Sequence, residues 1–482
     1  MLSRLILLSS IAIFTWITVA CSGGGNSTSS NSDSTSAQAL QVSMSAIEYP
    51  TFGYPMKALV RANGDVLVSV SSSGGNNSLM SNAISGIQVF SLNQYGVLEN
   101  PCAKQTPKIF QARNANAATQ FFGMSSYPGF ENSLGIAVEE DGIDFYTIPD
   151  VKTCNTIEPF FNVSQPTNNP AVYPPPPAPP KKAPPPSSSS FDMLFTKDGA
   201  NAFVANEYAD SIPPQGFIGV VGILKVSRNN LGEFKGTSVI ANNPYIGVPN
   251  SGAIPGITLS QDGTRLYVTS EEASPSTDGS TLNQDPTNSK NATLTGKRCY
   301  GAYQEGQAPA WNGLLTIIDV QKAIAGLGQA AIIKTIAAGC SPVRVVEASN
   351  GKTIWLTARG DNAVLAFDVA TLLSNNPNNA LIGKAYSGGS APVGLALFNN
   401  DQLLAVANSN RFTPNNAPND PNITNVAVLD IRNPATASVV NIRSTGGLNA
   451  FPRNISVGAD GTTLYVTNFN VGVLQVISTA IK

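Results

Sequence analysis

The chain repeats one strand-turn-strand phrase, and this repetition constrains its fold more than any other feature. The segments "SQDGTRLYVTSEE" (260–272) and "GADGTTLYVTNFN" (458–470) share an Asp-Gly pair followed by a strand rich in β-branched and aromatic residues. Asp-Gly and Asn-Gly are strong hairpin signals, because both central residues of a type I′ turn take positive φ. The same register predicts five further hairpins, with turn marks at Asn63, Asp141, Asp198, Asn350 and Asn400.

A third strand follows most of these hairpins, as in "GLLTIIDV" and "NVAVLDIR", and a weaker fourth strand follows most of those. Four antiparallel strands in each of seven units predict an all-β fold, a seven-bladed β-propeller. The last unit ends at Lys482 after its third strand. We expect the strand-like segment 40–49 to complete it and close the ring, which removes exposed sheet edges. Two β-sandwiches or a β-solenoid are the alternatives, and seven registered copies with uneven spacing disfavour both.

The phrase "LYVTN" (464–468), with a Pro ahead of the turn and a Gly within it, resembles the YVTN repeat. That repeat marks a family of bacterial seven-bladed propellers grouped with lactonase-like and surface-layer proteins. The resemblance covers almost everything after residue 38 and is sharpest in the fourth and seventh blades. It implies the propeller fold and a channel-mouth constellation of acids and Arg, as lactonase-like propellers use. Many relatives also use His.

The chain contains no histidine, which excludes whole classes of chemistry. A Ser-His-Asp triad, a Cys-His pair, a His-ligated zinc site and His-ligated haem are all ruled out. No P-loop and no CxxCH haem motif is present, and three Trp are too few for the Trp repeat that quinone-cofactor propellers usually carry. We therefore predict no cofactor and no metal. The formal net charge is −2 without a basic run, which argues against a nucleic-acid partner.

The first residues have the pattern of a secretory signal, with Arg4 ahead of an apolar stretch that ends in small residues. A membrane-spanning helix is the alternative, but the stretch is short and carries Ser and Thr. The residues "TVAC" (18–21) resemble a bacterial lipobox, which implies cleavage after residue 20 and lipidation of Cys21. Residues 21–38 have the composition of a flexible tether. Ser22 in place of the Asp that signals inner-membrane retention favours an outer-membrane anchor, on the periplasmic or surface side.

Residues 39–482 are predicted to form a single domain with two insertions. The Pro-rich segment 163–190 should be extended, either as a spacer or as a ligand for a polyproline-binding partner. The polar segment 271–310 interrupts the fourth blade between its second and third strands, where a long loop is commonly a lid or binding loop. An even number of further cysteines in an exported chain favours disulfides. The repeat register pairs Cys102 with Cys154 and Cys299 with Cys340.

The register also predicts a candidate site. The residue six positions before each turn mark should face the central channel, and polar groups there would face water. The channel-lining set is Lys57, Asp192, Arg344 and Asn454, with Gly135, Gly256 and Gly394 between them. Just past the second strands come Glu207, Glu271 and Arg359. As a catalytic site, Arg344 or Arg359 would hold a carboxylate or lactone oxygen and Glu207 or Glu271 would act as general base. The alternative is a solvated channel mouth with structural ion pairs.

The sequence therefore predicts an envelope-anchored propeller that acts as a binding scaffold through its channel-mouth face. The alternative is a lactonase-like hydrolase or isomerase that acts on a sugar lactone or a similar small carboxylate. The expected partners are the membrane through Cys21 and an envelope protein, a glycan or a small carboxylate, and the expected state is a monomer.

Overall fold

A computed structural model describes most of the chain from residue 40 onward. The described residues are 40–72, 85–94, 97–101, 121–138, 142–147, 161–163, 190–212, 216–249, 251, 253–271, 313–410, 424–445 and 450–482. Within them, the side chains of residues 131–132, 138, 161–163, 207–212 and 216–218 are not described. Leu40–Lys482 forms one compact unit.

The described residues form seven antiparallel sheets, each with a row of four paired strands, and the third sheet has a fifth strand. In six sheets the row follows chain order, and the seventh takes its outer strand from the start of the domain. The first blade contains β2 (Tyr54–Val60), β3 (Val66–Ser71), β4 (Gly86–Leu92) and β5 (Leu98–Glu99). The second contains β6 (Phe121–Tyr127), β7 (Phe130–Val138), β8 (Gly142–Thr147) and β9 (Phe161–Val163). The third contains β10 (Ser190–Phe195), β11 (Asn201–Ile212), β12 (Gly216–Arg228) and β13 (Phe234–Val239), with an extra strand, β14 (Tyr245–Gly247), paired to β12.

The remaining blades follow the same order. The fourth contains β15 (Gly256–Leu259), β16 (Arg265–Ser270), β17 (Leu314–Asp319) and β18 (Ile332–Ala337). The fifth contains β19 (Pro342–Glu347), β20 (Thr353–Ala358), β21 (Ala363–Asp368) and β22 (Leu381–Tyr386). The sixth contains β23 (Pro392–Phe398), β24 (Leu403–Asn408), β25 (Asn425–Asp430) and β26 (Ser438–Ser444). The seventh contains β27 (Pro452–Val457), β28 (Thr463–Asn468), β29 (Val473–Ile481) and β1 (Val42–Pro50).

Helical structure in the described residues is confined to short segments. The α-helices are α1 (Val320–Ile324) and α2 (Val369–Leu372), which begin at side-chain caps from Asp319 and Asp368. Single 3₁₀ turns are found at Gly328–Ala331, Arg359–Asp361, Pro377–Asn379, Pro434–Thr436 and Phe469–Val471. None of the described helices has the length and apolarity needed to span a membrane.

The seven sheets form a closed ring, which confirms the predicted seven-bladed β-propeller. Each innermost strand contacts the innermost strands of both neighbouring blades, through to β27 against β2. The predicted closure by the N-terminal strand is also confirmed. β1 pairs antiparallel with β29 over its whole length, from Val42 opposite Ile481 to Pro50 opposite Val473. The ring is thus held shut by backbone hydrogen bonds between the two ends of the domain.

The hydrophobic core lies between neighbouring blades, because each sheet buries both of its faces. One cluster joins Tyr267 and Ile317 of the fourth blade to Leu356 and Phe367 of the fifth. Every residue of β3 and β24 is buried, which explains why second strands are nearly continuous apolar runs.

The repeated turns use their Asp or Asn differently from the prediction. In five of these turns only the glycine takes positive φ, at Gly64, Gly199, Gly263, Gly351 and Gly461. The preceding Asp or Asn instead accepts a hydrogen bond from the backbone N–H two residues later, as Asp262 Oδ1 does from Thr264 at 3.0 Å. The expectation of type I′ turns was therefore wrong at these positions. Asp and Asn recur because their side chains satisfy backbone donors in the turn.

This turn chemistry predicts a pH-dependent contribution to stability. Burial opposes ionisation of Asp262, but hydrogen bonds from Ser260 and Thr264 outweigh it and lower its pKa from 3.8 to about 2. Asp262→Ala should therefore reduce the free energy of unfolding by about 1 kcal/mol at pH 7, a modest effect for a half-exposed side chain. Because the pKa of Asp262 is lower in the folded protein than in the unfolded chain, its ionised form stabilises the fold at pH values above the unfolded pKa. The stability difference between the parent and Asp262→Ala should therefore shrink from pH 4 towards pH 2. Urea unfolding across that range measures it. An equal deficit at pH 2 and pH 7 would contradict it, and Asp262→Asn, which keeps the acceptor, is the matched control.

The second blade is shifted by one strand from the predicted register. The sequence reasoning took the strand before Asp141 as innermost, but that strand is β7, the second of its blade. The innermost strand is β6, which joins β7 through the tight Pro128–Gly129 turn. The prediction failed because the Asp-Gly pair here joins the second and third strands, whereas the first hairpin uses Pro-Gly.

Candidate functional site

The innermost strands place four of the predicted polar residues around the channel axis. Lys57 lies on β2, Asp192 on β10, Arg344 on β19 and Asn454 on β27. In the second blade the matching bulge position is Gly123 on β6, so the assignment of Gly135 to this ring was wrong. We call the channel end at which the innermost strands begin the link mouth and the opposite end the turn mouth. The link mouth carries Phe191, Glu271, Arg344, Arg359 and Arg453.

Close approach of neighbouring blades explains the glycines of this ring better than channel space does. A Cβ on Gly123 would lie 2.0 Å from Asp192 Oδ1, and one on Gly256 would lie 2.1 Å from the Val343 carbonyl oxygen. Both distances are far below van der Waals contact. The innermost strands can therefore pack only if these positions lack a side chain.

Two of the ring residues form an ion pair across blades. Lys57 Nζ donates to Asp192 Oδ1 at 2.8 Å, and the same oxygen accepts from the Met193 backbone N–H at 2.9 Å. The Asp192 side chain is only 8% exposed. Asn454 bridges the seventh and first blades, because its Oδ1 accepts from the Ala58 backbone N–H at 3.3 Å. These polar groups thus have partners in neighbouring blades.

A second ion pair joins the fourth and fifth blades at the link mouth. Arg359 Nη2 donates to Glu271 Oε2 at 2.8 Å and to Ser341 Oγ at 2.9 Å. The Arg359 side chain is 4% exposed and that of Glu271 is 17% exposed. Glu271 follows β16 and Arg359 follows β20, so their meeting depends on the packing of adjacent blades. A partly buried carboxylate that is paired with a buried guanidinium holds neighbouring blades together.

Arg344 differs from the other described cations of the ring. Its Nε and Nη1 atoms are buried and have no hydrogen-bond partner, and its guanidinium carbon lies 5.1 Å from the centre of the Phe191 ring. Burial lowers the pKa of Arg344, and the charges of Asp192 and Glu271 offset part of that effect. Neither carboxylate forms an ion pair with Arg344, since each is bonded to another cation.

Sequence reasoning missed an aromatic and cationic cluster at the link mouth. Phe122 and Phe191 stack with ring centres 5.0 Å apart. The guanidinium carbon of Arg453 lies within 6 Å of both rings and of Phe451 and Phe469. Cation–π contacts of this kind contribute about 0.5–2 kcal/mol each. The one available signal was the aromatic or cationic residue directly before the ring position, as Phe191 precedes Asp192 and Arg453 precedes Asn454.

Several predicted residues lie partly or wholly outside the described structure. Glu207 lies on β11, but its side chain is not described. Cys340 is disulfide-bonded, and the other four cysteines lie outside the described residues, as do the signal segment, the tether, residues 164–189 and residues 272–310. The predicted pairing of Cys102 with Cys154 assumes that both follow third strands, but Cys102 follows β5, the fourth strand of its blade. Both disulfide pairings remain predictions.

The turn mouth contains a cavity of about 440 Å³. It is formed where β2, β19, β23 and β27 end, and the turns that follow β15, β19 and β23 also contribute to it. Its walls include Leu59, Val346, Leu397 and Val457, and its acidic groups are Glu347 and Asp401. The sequence analysis placed the candidate site at the other end of the channel, and no motif pointed to this one.

The described side chains define what the two mouths can do. No group of three or more His, Cys, Asp or Glu side chains able to hold a metal ion is found among the described residues. The link mouth offers unsatisfied guanidinium donors beside an aromatic surface, which suits an anionic group. The turn mouth offers a concave surface that combines apolar side chains with carboxylates, which suits a different class of ligand.

The sheet topology places the chain in the class of seven-bladed β-propellers with polar groups around the channel. No protein-family model matches it, and a comparison with curated proteins finds no match. Among solved structures it is similar to the Cps50 (Swd1) β-propeller domain of Myceliophteria thermophila, at 10% identity over 89% of this chain and 98% of that one, with a TM-score of 0.49. It is also similar to a functionally unknown protein from Desulfotomaculum acetoxidans, at 15% identity over 58% of this chain and 62% of that one, with a TM-score of 0.34. Neither similarity carries an argument about function.

Proposed function

We propose that this protein is an envelope-anchored propeller that binds an anionic group at its link mouth. The group would belong to an envelope protein, a glycan or a small carboxylate. The propeller fold is consistent with such a scaffold, because the links between rigid blades converge on one face.

One observation carries the proposal: the buried Nε and Nη1 donors of Arg344 have no partner. Leaving donors of a buried charged group unsatisfied costs free energy, and native structures rarely tolerate it without a ligand, an ion or water. Asp192 and Glu271, the described carboxylates whose charges act on Arg344, are already bonded to Lys57 and Arg359. A bound carboxylate would supply an acceptor that these donors lack, and its planar shape matches a guanidinium group.

The alternative of a lactone hydrolase or isomerase is less well supported by the same residues. A general base needs a free carboxylate within reach of the substrate proton. Glu271 forms a buried ion pair with Arg359 at 2.8 Å, so it would first have to leave that partner.

The anchor is part of the proposal and rests on the sequence of residues 1–38. An apolar signal, the "TVAC" segment and a polar tether together favour lipidation of Cys21 and an outer-membrane location. Mass spectrometry of the mature N-terminus checks this directly. A lipid adduct on residue 21 supports the anchor, and cleavage at another position contradicts it.

Replacing Arg344 tests the anion site. Galacturonate is the anionic probe and galactose is its neutral counterpart, with binding measured by isothermal titration calorimetry. Arg344→Gln should weaken galacturonate binding about 10-fold to 100-fold, the range expected for lost charge-assisted hydrogen bonds. The same variant should be no less stable than the parent, because it removes a partly buried cation whose Nε and Nη1 donors are unsatisfied.

The matched control is Arg432→Gln, which removes a guanidinium that pairs with Asp430 instead. Equal affinity for galacturonate in the parent and Arg344→Gln would refute the anion site. A panel of sugar lactones should be offered to the same preparations. If the parent hydrolyses a lactone and Arg344→Gln does not, the protein is a hydrolase and the scaffold proposal is wrong.

A further inference from the structure

The cavity at the turn mouth has an apolar wall that the fold leaves partly exposed. Leu59, Val346, Leu395, Leu397 and Val457 line it, and each is only partly buried. They come from the first, fifth, sixth and seventh blades, so the wall exists only once the ring has closed. The cavity volume of about 440 Å³ is within the range of small-molecule sites.

The charge of the lining has one sign. Glu347 and Asp401 are its ionisable groups, and the described residues that line the cavity include no lysine or arginine. Neither carboxylate takes part in an ion pair among the described residues. One buried and one partly exposed carboxylate beside an apolar wall favour a cation and disfavour an anion.

Glu347 is fixed in place and 2% exposed. Its Oε1 accepts from the Tyr267 hydroxyl at 2.8 Å, and its Oε2 accepts from the Gln261 backbone N–H. Burial and the hydrogen bond to Glu347 raise the pKa of Tyr267, so this hydroxyl remains a donor. The neighbouring cations are engaged elsewhere, since Arg265 pairs with Asp262 and Lys197 donates to the Gln261 carbonyl. Glu347 therefore contributes a fixed negative charge to the cavity wall.

Asp401 is held at the rim by an unusual turn. Asn399, Asn400 and Asp401 all have left-handed backbone angles, with φ of 52°, 52° and 59°. Five other blades place a glycine in the left-handed position of the corresponding turn. L-residues adopt this conformation at a cost, and such strain persists where the surrounding structure holds it. Here Asp401 Oδ2 accepts from the Ser349 backbone N–H, which ties the turn across to the fifth blade.

We propose that the turn mouth is a binding site for a small organic cation with an apolar body, such as an alkylammonium compound. The apolar chain would lie against Val346, Leu397 and Val457, and the ammonium group would lie near Glu347 and Asp401. This site is separate from the anion site at the link mouth, because the two occupy opposite ends of the channel.

Calorimetry with three probes tests the site on residues 40–482, which form one compact unit. Hexyltrimethylammonium should bind at least about 10-fold more tightly than hexanoate or hexanol, if charge and apolar surface act together. Asp401→Asn should weaken hexyltrimethylammonium binding about threefold to tenfold, and added salt should reduce that difference. Val346→Thr, which keeps the side-chain volume, should weaken binding of the same probe without changing its salt dependence.

Asp460→Asn is the matched control, because Asp460 occupies the equivalent turn of the seventh blade and does not line the cavity. It should leave all three affinities unchanged. Hexanoate binding as tightly as the ammonium probe would overturn the proposal, as would no detectable binding of any probe. If Asp460→Asn and Asp401→Asn weaken binding equally, the lost affinity comes from turn stability and the proposed cation site is also overturned. Thermal unfolding of each variant shows whether it folds. If Asp401→Asn does not fold, the effect of Val346→Thr on binding of hexyltrimethylammonium tests the site instead.

Discussion

Removal of residues 1–50 should open the ring and strongly destabilise the domain. β1 pairs with β29 at nine positions, and Val42 packs into the core between the sixth and seventh blades. Loss of these hydrogen bonds and of this apolar burial should lower the free energy of unfolding by about 3–5 kcal/mol. The newly exposed edge of β29 should also promote aggregation. Thermal unfolding followed by circular dichroism measures the change, with an expected drop in Tm of about 3–5 °C for a domain of this size.

A chain that begins at residue 40 is the matched control, because it lacks the signal and tether but keeps β1. It should unfold at the same temperature as the longer chain. A synthetic peptide of residues 40–51, added to the shortened chain, should restore much of the lost Tm by binding along β29. Equal Tm values for chains that begin at residues 40 and 51 would show that ring closure by β1 does not stabilise the domain.

Breaking the ion pair between Glu271 and Arg359 should cause the second large effect. Glu271→Gln leaves the guanidinium of Arg359, which is 4% exposed, without its compensating charge. Removing one partner of a buried pair costs about 3–5 kcal/mol, and we expect about 2–3 kcal/mol here because Glu271 is less buried. The double variant Glu271→Gln/Arg359→Met should recover part of this loss, since it removes both charges. Urea unfolding gives all four free energies of the cycle.

The pair formed by Asp430 and Arg432 is the control for this cycle. It lies nearer the surface, so Asp430→Asn should cost less than about 1 kcal/mol. If Glu271→Gln costs no more than Asp430→Asn, the pair at the link mouth does not hold the fourth and fifth blades together. Glu271 would then again be a candidate general base, and the hydrolase would regain support.

Local chemistry is the part of the fold that could be predicted well. The repeated turns predicted hairpins at the correct places in six blades, five through an Asp-Gly or Asn-Gly pair and the sixth through Asn400, because each turn is built from residues adjacent in the chain. The missing fourth strand of the last blade predicted closure by the segment before Tyr54, since a propeller without it would keep an open edge. The innermost strand of the second blade was not predicted, because its first hairpin uses Pro128–Gly129, which the Asp-Gly register could not detect.

The candidate site was predicted only in part. Lys57, Asp192, Arg344 and Asn454 share a repeat position, so the register alone placed them on innermost strands. Their partners could not be predicted, because an ion pair such as Lys57 with Asp192 depends on which blades are near each other and on where the long side chains extend. The cation–π cluster of Arg453 has the same origin, since its aromatic rings come from the second, third and seventh blades.

The sequence by itself determined the number of blades, the order of strands within six of them and the strand that closes the ring. These properties follow from hairpin signals and strand periodicity, which act over a few residues. Only the tertiary structure decided which end of the channel holds the cavity and which charges are already paired. Both depend on distances between side chains far apart in the chain, such as Arg359 and Glu271, and the closed ring alone fixes those distances.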